Sequence, residues 1–66
     1  MNCNVLVGNV GVVFRGPIRE ARQEYLAWVA KSVGGIGAAA WESVTMCDEE
    51  SGDPLLVHLS DRDASL

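Results

Sequence analysis

The sequence contains no apolar run close to the roughly 20 residues that a membrane-spanning helix needs. Nor does it open with the basic region and apolar stretch of a secretory leader. These absences set the expectation of a chain that stays off the membrane, in a reducing cytoplasm. Basic residues are scarce too: five Lys and Arg stand against nine Asp and Glu, a net charge of -4. Nucleic-acid binding rests on a dense cationic surface that releases counterions from phosphates, so direct binding of DNA or RNA is not expected. Cysteine occurs only at Cys3 and Cys47, without Cys-x-x-Cys spacing, and histidine only at His58. The usual metal-ligand patterns are therefore missing, and both thiols are expected as small apolar groups in the core. Neither GxxxxGK[ST] nor GxGxxG occurs. No cofactor and no metal are expected.

What the chain does have is apolar substance. Apolar residues fill 48% of its 66 positions, enough for a compact core and too many for disorder. The length allows one domain, expected over residues 1–60, with 61–66 as a flexible C-terminal tail. A chain this short buries only about 60% of its unfolded surface. Its thin core is expected to be completed by self-association, with a homodimer favoured.

Valines alternate through "NCNVLVGNVGVVFR". Val5 and Val7 point one way, Asn4 and Leu6 the other. Beyond Gly8-Asn9, which suit a tight turn, Val10, Val12 and Phe14 share a face opposite Gly11, Val13 and Arg15. The period changes after Gly16-Pro17, because proline fits the start of a helix. Ile18, Ala21, Tyr25, Trp28, Val29 and Ser32 then recur at about 100° per residue, with Leu26 and Val33 widening the arc. Arg22 lies inside that arc, while Arg19, Glu20, Gln23, Glu24 and Lys31 lie opposite. Gly34-Gly35 supplies a left-handed helix stop. Ala39 to Cys47 has strand character, with Ala40, Glu42, Val44 and Met46 on one face and Trp41, Ser43, Thr45 and Cys47 on the other. "DEESGDP" is a turn, and Leu55–Leu59 is a last strand. The expected fold is α+β, in the order β-β-α-β-β: a four-stranded antiparallel sheet with one helix packed on one face. The far face would stay open, and it would be partly apolar.

"SVGGIGAAAWESVTM" is the stretch most suggestive of a ligand loop. Phosphate-cradling glycines lead into a helix N-terminus; Gly34, Gly35 and Gly37 follow a helix end, where the dipole has the opposite sign. A cap and connector is the expected role, with a small-ligand nest at Gly35 and Gly37 as the alternative. Glu42 faces the helix on this assignment, and its charge needs a partner; Arg22 is the candidate, and a ligand is the alternative. Cys47 and His58 could meet across the last hairpin, the one arrangement here that resembles an activated nucleophile. Asp48, Glu49, Glu50 and Asp53 crowd one turn, either a solvated loop or a patch for a basic surface. Their spacing is not that of an EF-hand. Trp41 is a candidate interface anchor.

The pattern resembles a group of small phage open reading frames. In these, a strand pair precedes a helix of the type Y-x-x-[YW]-V-x-x-S, then a glycine pair, A-A-x-E-S-V-T, an acidic turn and a last strand. Tyr25, Trp28, Val29, Ser32, Gly35, Gly37, Ala39, Ala40, Glu42, Ser43, Val44 and Thr45 carry the likeness, over about residues 5–58. Ala38 stands where the pattern leads us to expect Arg or Lys. The resemblance implies a phage accessory protein acting in the host cytoplasm, without catalytic activity. On that basis the expected function is a non-enzymatic inhibitor of a host protein, such as a defence effector, with Trp41, Asp48, Glu49, Glu50 and Asp53 as contacts. One alternative is an oligomeric sponge for a signalling nucleotide, using Arg15, Arg19, Arg22, Gly35, Gly37 and Glu42. Another is a structural self-assembling protein.

Overall fold

A computed structural model describes residues 1–59; the expected tail, 61–66, lies outside the described residues. Strands β1 (Asn2–Val7) and β2 (Gly11–Pro17) precede helix α1 (Ile18–Gly34), a single 3-10 turn (Gly37–Ala39), and strands β3 (Val44–Asp48) and β4 (Pro54–His58). All pairings are antiparallel, and the strand order across the sheet is β2-β1-β3-β4. The α+β fold, with its β-β-α-β-β order, is the one expected from the sequence. The helix lies over β1, β2 and β3. Strand β4 projects beyond its edge.

The inner face of the sheet follows from the alternation of side chains. Val5 pairs with Phe14 on one side and Met46 on the other, and Met46 pairs with Leu56. Val7 pairs with Val44, and Cys3 with Asp48. Residues directly opposite each other share a face, so these rows point at the helix. Cys3, Val5, Val7, Val44 and Met46 are buried there with Ala21, Tyr25 and Ala39. The outer face carries the row Val12–Leu6–Thr45–Val57.

Three local expectations need correction. The first hairpin turns over Gly8–Val10 rather than Gly8-Asn9 alone, and a bulge opposite Val5/Leu6 shifts β2. Simple alternation puts Val12 and Phe14 on one face; the extra residue sends Phe14 inward and Val12 outward. The helix buries Ala21, Tyr25 and Ser32, but Leu26 and Val33 are each 60% exposed, and Ile18 is also exposed. One sheet covers only a narrow stripe of a helix, and none of the other described residues covers the wider apolar arc. Strand character from Ala39 begins only at Val44, because the 3-10 turn and an irregular stretch occupy residues 37–43.

Cys3 and Cys47 are both free thiols. They sit on adjacent strands, but Cys47 pairs with Asn4 on the outer face while Cys3 faces the core. Burial, reinforced by the negative charge of Asp48, raises the Cys3 thiol above the ordinary 9.0. A raised thiol pKa favours the protonated form in the folded state, so its contribution to stability is complete below the unfolded pKa. It is lost as pH rises through the folded value. Cys47 is therefore expected to react with a thiol reagent in the native protein, and Cys3 only after unfolding. Stability by urea titration should fall between neutral and strongly alkaline pH, and Cys3→Ala should reduce that slope.

Candidate functional site

The acidic turn between β3 and β4 is built by its own first residue. The Asp48 Oδ1 accepts the Glu50 N–H at 2.8 Å and the Ser51 N–H at 3.4 Å, the pattern by which aspartate closes a turn. The Asp48 N–H donates to the Asp53 carbonyl at 2.9 Å, and the Gly52 N–H to the Asp48 carbonyl at 2.8 Å. The Glu49 N–H donates to the Asn2 carbonyl, which pins the turn to the start of β1. Asp48 is thus a structural member of the acidic group. Glu49, Glu50 and Asp53 are exposed. No set of three His, Cys, Asp or Glu with metal-binding geometry occurs among the described residues.

Beside this turn runs a groove of about 600 Å³ between α1 and β4. Ile18 and Leu26 of the helix face Leu55 and Leu56 of β4 across it, with Met46 beneath. Arg19 and Arg22 stand on the helix wall. Met1 borders both the groove and a second hollow formed with Asn2, Asp48, Glu49 and Glu50. One end of the molecule therefore combines an apolar channel with two arginines on one side and an ordered acidic turn on the other. The groove was not anticipated from the sequence. The available signal was that Leu26 and Val33 broaden the apolar arc beyond what a single sheet can cover.

The opposite end holds Trp41 and the glycines. Gly35 caps α1 in the left-handed conformation, φ 67°, and the Ile36 N–H reaches back to the Lys31 carbonyl at 2.9 Å. Buried Ser32 ties the joint together: its carbonyl accepts from Gly35 and Trp41, and its hydroxyl donates to the Glu42 carbonyl at 2.5 Å. Trp41 has φ 62°, the one positive value among the described non-glycine residues. Its ring lies over Gly35, where an added Cβ would sit 2.8 Å from the Trp41 Cζ2. No family model, curated protein or solved structure matches this chain.

Several expected associations are not formed. Glu42 does not pair with Arg22. Its carboxylate accepts from Asn9 and crowds Gly8 at the first hairpin turn, while Arg22 stands near Met1, about 20 Å away along β1 at roughly 3.3 Å per residue. The pairing failed because Glu42 lies outside any strand, so alternation does not govern its direction. Arg15 pairs with Asn4 on the outer face of the sheet, whereas Arg19 and Arg22 lie on the helix side. Gly35 and Gly37 lie at the far end of a 17-residue helix from both groove arginines. Cys47 sits on the outer face, while His58 pairs with Val44 on the inner face. The sheet separates the thiol from the imidazole.

Proposed function

We propose that this is a small non-enzymatic binding protein of the phage accessory kind, which acts by occupying a host protein. The observation that supports this is the preformed acidic turn adjoining an apolar groove. Glu49, Glu50 and Asp53 attract a basic surface over long range, and Leu26, Leu55 and Leu56 receive an apolar anchor once contact is made. The partner segment would carry basic residues next to an apolar side chain. Inhibition of a defence effector is one outcome of such occupation. No helix among the described residues is long and apolar enough to cross a membrane.

Trp41 and the acidic turn lie at opposite ends of the sheet. A partner engaging both would have to extend along the whole of β3 and beyond. The turn with the groove is the more economical contact surface.

Neutralising Glu49, Glu50 and Asp53 with Gln and Asn, while keeping Asp48 so that the turn stays closed, should deplete the specific partner in capture from bacterial host lysate. With the isolated partner, the association rate should fall about tenfold at low salt and lose most of its salt dependence. A partner retained equally by the wild type and the neutralised variant would sink this reading.

A further inference from the structure

We propose that strand β4 pairs with the β4 of a second copy, antiparallel about a two-fold axis, to make one continuous eight-stranded sheet. Natural edge strands are blocked by charge, proline, bulges or cover. The two edges of this sheet differ in that respect. Strand β2 contains a bulge, presents Arg15, and ends in Pro17, which has no N–H to donate. In β4 the proline and the bulge fall at the very start, at Pro54 and Leu55. From Leu56 to Leu59 the edge is regular or extended and carries no acidic or basic side chain other than His58. Alternate residues of such an edge turn N–H and C=O groups outward, unpaired.

Exposed apolar side chains lie on both sides of this edge. Leu55, Val57 and Leu59 are 41%, 53% and 62% exposed; Val57 belongs to the outer face of the sheet, while Leu55 lines the groove on the helix side. Leu26 faces β4 across the groove, and Val33, seven residues on, shares its helix flank.

Charge selects the seam and the antiparallel direction of a second copy. Two chains of net charge -4 repel over most of their surfaces, and the Leu56–Leu59 seam is a stretch without acidic groups. The antiparallel arrangement also sets the two acidic turns at opposite ends of the seam, whereas a parallel one would place them side by side. Both helices then lie on one face of the joined sheet, with the two grooves facing each other across the seam. This pairing does not rest on the binding function proposed above, although Leu26 and Leu55 border both surfaces, and either can fail alone.

Light scattering with concentration-dependent amide exchange tests it. The wild type should show twice the monomer mass, and the outward-facing, alternate amides within Leu56–Leu59 should slow as concentration rises from micromolar to millimolar. Val57→Lys should return the protein to monomer. Val12→Lys should leave the dimer intact, because Val12 lies in the same outer-face row but on the other edge. A monomer at all concentrations overturns the proposal, as does a dimer without added protection in β4. Dissociation by both lysine variants overturns it in favour of stacking through the open faces. The exchange measurement uses the wild type alone, so a misfolded variant does not leave the question undecided.

Discussion

Gly35→Ala is expected to destabilise the protein by about 2 kcal/mol. Two costs combine. A residue with a Cβ adopts the left-handed conformation at a cost of roughly 1 kcal/mol. The new Cβ also meets the Trp41 ring at 2.8 Å, and the ring must move away from the helix end. Gly37 has a similar backbone, φ 63°, but nothing within 4 Å of an added Cβ. Gly37→Ala therefore isolates the first cost, at roughly 1 kcal/mol. For a domain of this size, each kcal/mol lowers Tm by about 4–8 °C, so thermal melts separate the two variants. If the ring contact supplies the difference, Trp41→Ala in the Gly35→Ala background should recover it. Equal losses for both glycine variants would mean that the ring yields without cost.

The second large effect is in the core. Tyr25→Ala is expected to cost about 3 kcal/mol, the lower end for loss of a large aromatic ring. Tyr25 lies at the centre of the buried helix stripe, 8% exposed, and burial raises its hydroxyl pKa. A 66-residue domain has about 3–10 kcal/mol in total, so the variant should be partly or wholly unfolded at room temperature. Leu26→Ala, one residue along the helix, should change monomer stability by no more than about 0.5 kcal/mol, because Leu26 is 60% exposed. Circular dichroism during urea titration, on dilute protein, measures both. A Leu26→Ala loss near that of Tyr25→Ala would place Leu26 in the core, against the structure.

The contrast between these neighbours shows how far periodicity reaches. Both fall within one apolar arc in the sequence, and the arc correctly fixes that there is a helix and roughly how it faces. Its width does not say how much of it is covered. That depends on the sheet, whose fourth strand lies beyond the helix instead of beneath it. The groove between α1 and β4 is the direct consequence. It could not be located from either segment alone, since one wall is a helix flank and the other a strand some 30 residues later.

Glu42 and Trp41 make the same point at the other end of the molecule. Their residue types mark both as worth attention, but their directions were inferred from an alternation that holds only inside a strand. The chain from Gly37 to Ser43 is irregular, and its geometry is set by Ser32, which binds the backbone at Trp41 and Glu42. The acidic turn is different. Its Asp, Ser, Gly and Pro signal a turn locally, and the hydrogen bonds of Asp48 close it within six residues.

By itself, then, the sequence determined what local rules control. These are the order of strands and helix, the inward rows Val5–Val7 and Val44–Met46, the Gly35 helix stop and the acidic hairpin turn. Each rests on steric or hydrogen-bonding preferences that act over a few residues. Tertiary structure alone decided the strand order, the place of β4 at the sheet edge, the separation of Arg15 from Arg19 and Arg22, and the replacement of Arg22 by Asn9 as partner of Glu42. These depend on which distant segments the packed chain brings together, and no period along the sequence encodes that.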